Sequence, residues 1–421
     1  MRTAFGAVLV IVLLSTGAAA QTAVAEEAEQ PTIEQYVECC APYWLEADEL
    51  TAVLEDAGEN WPELAQALLI CLPPSAARST TDALLYPDAP SVNPFLREIY
   101  DAMFWLLQNA PHLDRLELTQ VVLLDNMRKA LEAAAEHGYE LDSELFRRYV
   151  LSYRLDAEPV TAWRAELAWR YREASAQEPP DIVELVQAVV ADFTVLERGY
   201  YGNIADPLSV DNARAGSPRE LALLTAAVLR AQGYATRFVR ENRTGASWVE
   251  VYTGTPADYD PLAWMPVYPQ APDQSGYACY AEELSDGFIA VVTAGDDFGR
   301  EQVTARYKPV CAVKPRFVRA GEEVDDFEDW SIVAWHEGAL VALDDLYYPL
   351  ADLPLELPAD PAAGNVVFVA APGDYELQAG VRLGDGVVQL ITHEFSAEPG
   401  TVVEIEVVLD PLETAPPVPT A

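Results

Sequence analysis

The chain of 421 residues carries 68 acidic side chains against 26 Lys and Arg, a formal net charge of −42. That balance excludes a nucleic-acid binder, which must neutralise phosphates with cations, and it disfavours docking on an anionic membrane surface. Hydrophobic residues make up 51% of the chain, enough for a substantial core in two or three domains and too many for wholesale disorder.

The first segment reads as an export signal. Arg2 supplies a positive start, Ala7 to Leu14 an apolar stretch, and Ala18, Ala19 and Ala20 a small-residue cleavage site before Gln21. The apolar run is shorter than the roughly 20 residues of a membrane span. No cysteine follows the cleavage site, so no lipid anchor is expected. The mature chain is expected to be secreted or periplasmic, without a membrane span. Residues 21–31 form an acidic leader.

Residues 32–178 read as a helical N-terminal region. Trp61 to Leu72 has helical apolar spacing and stops at Pro73-Pro74. Phe95 to Leu107 and Leu118 to His137 repeat that spacing, and Gly138 is placed to cap the second. Glu144 to Tyr153, Trp163 to Arg172 and Ile182 to Leu196 complete the helical stretches.

Residues 179–308 change texture. Ser217-Pro218-Arg219-Glu220 stacks three helix-start signals: an N-cap serine, a first-turn proline and a capping-box glutamate. That helix is predicted over Pro218 to Gln232, with Gly233 after it. Strands follow at Tyr234 to Arg240, Ser247 to Tyr252, Trp264 to Val267, Gly287 to Thr293 and Thr304 to Tyr307. Residues 309–410 read as a C-terminal antiparallel β-sandwich, with strands at Val310 to Val318, Trp330 to Trp335, Val366 to Ala370, Tyr375 to Val381, Val387 to Phe395 and Val402 to Leu409. Asp385-Gly386 is a strong hairpin signal. Residues 411–421 form a Pro- and Ala-rich tail expected to be disordered.

Five cysteines occur, at 39, 40, 71, 279 and 311. In an exported protein, bridges from the Cys39/Cys40 pair to Cys71 and from Cys279 to Cys311 are reasonable pairings that leave one thiol over. None of the spacings is a zinc signature, and no metal or cofactor is expected. The acid runs Asp296-Asp297 and Glu322 to Asp329 lack EF-hand spacing and read as solvated loops rather than calcium ligands. With so many acids, no glycosidase carboxylate pair stands out. Tyr200-Tyr201-Gly202, Trp248, Tyr252, Tyr259, Trp264 and Tyr268 could line a groove for glycan or peptide, although Trp248 and Trp264 read better as core.

The most site-like stretch runs from Gly216 to Pro269. Gly216, Ala222, Arg230-Ala231, Gly233, Arg237, Trp248, Glu250, Trp264 and Pro269 fall, in order and spacing, on a pattern that resembles the transglutaminase-like superfamily with its papain-type core. Upstream, Leu145-Phe146 to Tyr153-Arg154, Glu158 and Trp163-Arg164 resemble the helical lead-in of exported bacterial members. Downstream, Val303-Thr304, Tyr307 and Asp374 to Gly386 resemble their β-sandwich extension. The resemblance implies an α+β fold and a Cys-His-Asp triad acting on amides. It places the nucleophile at Pro218, the base at Ala246 and the orienting acid at Tyr268, and none of the three can do that chemistry. Proline offers neither a thiol nor a backbone N–H for an oxyanion hole. Ser217 lies one residue early and reads as a cap. His112, His137, His336 and His393 all lie outside the stretch.

The expectation is therefore a pseudoenzyme, with Ser217, Trp248, Glu250 and Trp264 flanking an emptied cleft. It would act as an extracellular binding or scaffold protein for an envelope protein, a peptide or a glycan. The alternatives are a peptide- or cell-wall-directed hydrolase or transferase using a site foreign to the family, and a purely structural envelope protein.

Overall fold

A computed structural model describes residues 31–73, 93–174, 181–197, 205–241, 245–276, 290–293, 301–324, 330–336, 339–342, 368–382 and 388–409. The signal segment, the acidic leader, Tyr200-Tyr201-Gly202, Cys279, Asp296-Asp297, Asp325 to Asp329 and the tail lie outside these residues. So does the Asp385-Gly386 turn. Among the described residues no helix is long and apolar enough to cross a membrane.

The chain divides into two units. The first takes in the described residues up to Phe238 together with Trp248–Ser275. Its helices are α1 (Ile33–Cys40), α2 (Ala47–Asp56), α3 (Trp61–Cys71), α4 (Pro94–Gln108), α5 (His112–Arg115), α6 (Gln120–His137), α7 (Glu144–Phe146), α8 (Arg164–Arg170), α9 (Ile182–Val190), α10 (Pro207–Ala213) and α11 (Pro218–Ala231). Local sequence explains several boundaries. Thr119 caps α6 through its hydroxyl, and Gly138 ends it at φ +79°, a left-handed turn that glycine enters without a Cβ penalty. Asp181 caps α9 by accepting the N–H groups of Val183 and Glu184.

The expected helix from Ile182 to Leu196 ends early, at Val190. Asp192 takes a positive φ of 58°, and Thr194–Val195 (β1) then pairs in parallel with Ala215–Gly216 (β2). The expected helix from Glu144 to Tyr153 is α7 followed by a π turn at Arg147–Leu151. α10, whose start is capped by Asp206, was not expected from the pattern.

α11 is the centre of this unit. All of Glu220 to Ala231 is buried, and α11 packs against α8, α9 and α10. Leu223, Leu224, Ala227 and Val228 share a core with Leu167, Leu185, Val210, Val249 and Val267. Each such leucine or valine removed from water contributes roughly 1.5–3 kcal/mol. β3 (Thr236–Glu241), β4 (Ser247–Tyr252) and β5 (Trp264–Val267) follow α11, and β4 pairs antiparallel with β5 in the register Val249↔Val267 to Tyr252↔Trp264.

The second unit holds most of the C-terminal strands. The expected strand from Thr304 to Tyr307 is instead a 3-10 turn at Thr304–Arg306. β6 (Ala290–Thr293) and β7 (Glu301–Gln302) pair antiparallel. One four-stranded sheet runs β11 (Ala339–Ala342), β10 (Trp330–His336), β13 (Gly373–Arg382), β14 (Val388–Ala397). Its β13–β14 ladder, from Gly373↔Ala397 to Arg382↔Val388, is the hairpin that Asp385-Gly386 implies. The other sheet runs β12 (Phe368–Ala370), β8 (Cys311–Arg319), β15 (Val402–Val408), with β9 (Glu322–Glu323) beside β8. Strands of both sheets feed one core that includes Val313, Phe317, Ile332, Leu377, Ile405 and Val407. A wholly antiparallel arrangement was expected, yet β15 pairs with β8 in parallel. The long intervening chain permits this, since parallel neighbours need a crossover rather than a tight turn.

Cys39, Cys40, Cys71 and Cys311 are free thiols, so the expected Cys39/Cys40–Cys71 bridge is not formed. Cys71 is packed inside the helical core, and burial pushes its thiol up to about 12. Burial pushes the Cys311 thiol up to about 11, with its Sγ donating to the Ala370 carbonyl at 3.3 Å. The thiolate is the reactive form. Alkylation of the native protein near pH 8 is therefore expected at exposed Cys39, with Cys71 and Cys311 modified only after unfolding. Peptide mapping by mass spectrometry checks this, and fast native labelling of Cys71 would contradict it.

Candidate functional site

The local sequence folds the start of α11 into a closed hydrogen-bonded cap. Ser217 sits at the N-cap with φ −67° and ψ 165°. Its Oγ accepts the Glu220 N–H at 3.3 Å and donates to Glu220 Oε2 at 2.9 Å. The Ser217 N–H donates to the same carboxylate oxygen at 2.7 Å, and the Ala205 N–H reaches Oε1 at 3.4 Å. Glu220 is 2% exposed. Gly216 makes room for it: a Cβ there would lie 3.0 Å from Glu220 Cβ and 3.1 Å from Oε2. Pro218 is the first helical residue, and its carbonyl accepts from the Gln270 side-chain amide at 3.3 Å. Every described hydrogen bond of the Ser217 hydroxyl is thus spent on Glu220.

Tyr268 lies just past β5 and is 1% exposed. Its N–H donates to Ser275 Oγ at 3.1 Å, and its ring sits 6.4 Å from that of Trp248. Ala246 precedes β4, and its carbonyl accepts the Glu241 N–H at 2.8 Å. Trp248, Glu250 and Trp264 are 2%, 0% and 2% exposed. These three side chains are packing groups of the core.

Glu250 meets Arg237 at 2.6 Å, with the two side chains 0% and 2% exposed. The Arg237 guanidinium lies 4.2 Å over the Trp264 ring and 5.9 Å over that of Tyr149. Tyr149 and Trp264 are themselves in edge contact at 4.8 Å. The structure therefore brings Arg237, Glu250, Trp264 and Tyr149 into one buried cluster, and Trp248 and Tyr268 into another contact. Ser217 is held separately by Glu220. A paired buried charge of this kind fixes geometry, and its aromatic walls contribute cation–π attraction.

A second set of buried charges anchors the ends of α11. Arg230, 1% exposed, donates to the carbonyls of Ser152, Arg154 and Thr236. Arg164, also 1% exposed, donates to the carbonyls of Val150 and Ser152. Burial pulls both guanidinium groups down, Arg230 to about 10. Arg154 pairs with Asp114, and Arg219 with Asp156. Glu158 accepts the N–H groups of Leu155 and Asp156 at 2.8 Å, and burial pushes its carboxyl up. Sequence reasoning placed Arg154, Glu158 and Arg164 only through resemblance. The signal it could have used is charged residues bracketing the Ser152–Leu155 turn between two apolar helices.

The histidines occupy other places. His112 Nδ1 lies 2.9 Å from Asp56 Oδ2, and His137 packs between the rings of Tyr139 and Tyr234. His393 lies on β14 opposite Leu377, and His336 opposite Ala339. Among the described residues, no group of three or more His, Cys, Asp or Glu could hold a metal ion.

Residues 166–269 match the transglutaminase-like superfamily. This stretch spans α8 to β5 and so contains the capped helix, the Arg237–Glu250 pair and Tyr268. No curated protein matches the chain. A solved structure of a candidate protease from Parabacteroides distasonis is similar at 10% identity and a TM-score of 0.25, over 66% of this chain and 54% of that protein. The chain thus spans about half the length of that relative.

Proposed function

From the transglutaminase-like domain over residues 166–269, we propose that this protein is an exported, catalytically inactive member of that superfamily that works as a binding or scaffold protein outside the cytoplasm. The observation that carries the reading is the cap at the start of α11. In an active member this helix end holds a thiol whose pKa the helix dipole lowers, and a histidine takes its proton. Here Pro218 stands at that place, with no nucleophile and no N–H to offer a developing oxyanion.

The nearest hydroxyl, Ser217, donates to a carboxylate that is itself bound by two backbone N–H groups. A serine needs an adjacent base to attack an amide, and Glu220 in this arrangement works as a cap. Ala246 has no base, and Tyr268 packs against Trp248. Arg237, Glu250, Trp264 and the α11 core keep the packing of the domain. The two C-terminal sheets over a common core are read as a β-sandwich that adds surface for a partner.

The test is covalent trapping. Incubating the folded protein with a fluorophosphonate and reading intact mass is expected to give no adduct above that on a Ser217→Ala variant. A stoichiometric adduct mapped to Ser217 would overturn the proposal and revive the hydrolase reading.

A further inference from the structure

We propose that the pocket between α6, α8 and the end of α11 binds a pyranose unit of a neutral glycan. The pocket has a volume of about 370 Å³, at the small end of the roughly 300–1,000 Å³ usual for ligand sites. It lies at the opposite end of α11 from Ser217, so its failure would leave the reading of the α11 cap untouched.

The sequence builds the pocket from two helical stripes. On α6, Lys129, Glu132, Ala133 and Glu136 follow the i, i+3, i+4, i+7 spacing that shares one face. Ala165, Ala168, Trp169 and Arg172 repeat that spacing on α8 and the turn just beyond it. The alanines let the two helices approach, and Ala231 and Gly233 complete a floor of small residues. Gly233 has a φ of +91°, and a Cβ there would lie 2.8 Å from His137 Nε2 and 3.1 Å from Ala133 Cβ. The larger side chains form the walls around this floor.

Two features of the walls point to a sugar. The first is an exposed aromatic platform. Trp169 is 60% exposed, and the Arg172 guanidinium lies 4.8 Å over one face of its ring, a cation–π contact that steadies the indole. The negative face of an indole attracts the C–H face of a pyranose ring, whose hydrogens carry slight positive charge. The second is a rim of donors and acceptors without net charge. Glu132 and Glu136 balance Lys129 and Arg172, and Gln232 adds an amide. Lys129 is held on Glu132 at 2.6 Å, and Gln232 Nε2 donates to the Ala168 carbonyl at 3.1 Å, so both are positioned before a ligand arrives. Carboxylate, guanidinium and amide groups are planar and two-pronged, which suits neighbouring hydroxyls that each donate and accept.

The same walls disfavour other ligands. An anion would meet Glu132 and Glu136 within a chain of net charge −42, and a cation would meet Lys129 and Arg172. A peptide is captured by a strand edge or by apolar side-chain slots. This pocket is walled by helices, and the one large apolar group in its lining is the indole.

The experiment is saturation-transfer NMR and calorimetric titration of the purified full chain with four neutral tetrasaccharides: cellotetraose, maltotetraose, mannotetraose and N-acetylated chitotetraose. Saturable binding of at least one is expected, with little change as salt rises. Trp169→Ala is expected to weaken it about tenfold, and Trp169→Tyr to retain most of it. Glu136→Ala, at an exposed position, is expected to weaken it about fivefold. Circular dichroism establishes that each variant is folded, and Glu136→Ala carries the test if Trp169→Ala is not folded. Absence of saturable binding of all four sugars would overturn the proposal, as would undiminished binding by folded Trp169→Ala or Glu136→Ala. Tighter binding of a glucosamine tetramer or of tetragalacturonate would overturn the neutral ligand.

Discussion

Replacing Glu250 with alanine is expected to lower unfolding free energy by about 3–5 kcal/mol, the cost of removing one partner from a buried ion pair. Its carboxylate is fully buried and lies 2.6 Å from the Arg237 guanidinium, which is 2% exposed. Without it, the guanidinium loses its 2.6 Å carboxylate partner while keeping its contacts with the rings of Trp264 and Tyr149. Those rings attract the cation, but cation–π contacts contribute only about 0.5–2 kcal/mol each and cannot replace a carboxylate. Arg237→Met alone is expected to cost a similar amount by removing the cation that lies 2.6 Å from this buried carboxylate. The double variant Arg237→Met with Glu250→Leu is expected to recover most of the loss, because apolar groups of similar volume often replace a buried pair at little cost. Urea denaturation with an unchanged m-value measures all three. A loss below about 1 kcal/mol for Glu250→Ala would place the pair in solvent, where such bridges contribute little.

Glu220→Ala is expected to destabilise the protein by about 2–4 kcal/mol. It removes the acceptor of the Ser217 N–H, the Ser217 hydroxyl and the Ala205 N–H at a position 2% exposed. Each buried donor left without a partner costs about 1–3 kcal/mol, and part is recovered where water can enter. Ser217→Ala removes only the capping hydroxyl and is expected to cost about 1 kcal/mol. The order matters more than the sizes. If Ser217 is a cap, its loss changes stability less than that of Glu220 and changes nothing else. If Ser217 were a nucleophile, its loss would abolish a reaction while stability barely moved.

The fold was legible in the sequence wherever one local rule acted alone. Gly138 ends α6, the Ser217–Glu220 box opens α11, and β4 and β5 have the expected ends. The reading went astray where tertiary context decided. The expected helix from Ile182 runs on past Val190 to Leu196 in the sequence pattern, yet Thr194–Val195 pair with Ala215–Gly216 as β1. Thr304–Tyr307 alternates like a strand but is a single 3-10 turn. The parallel β8–β15 pair leaves no local mark, because the partners are far apart in the chain.

At the candidate site, the cap could be read directly from Ser-Pro-x-Glu. The Arg237–Glu250 pair could be expected only through the family resemblance, since nothing in either strand's own pattern says which charges will meet. The burial of Arg164 and Arg230 was hidden for the same reason: their acceptors are backbone carbonyls, which every sequence possesses.

The proposal that the domain keeps its fold without its reaction is tested most directly by amide turnover. Purified protein is incubated with a peptide library and a glutaminyl-amine pair, and cleavage and cross-linking are followed by mass spectrometry. The expected result is no product above the buffer control, from the wild-type chain and from Ser217→Ala alike. Turnover by the wild-type chain that disappears in Ser217→Ala, with that variant still folded, would contradict it.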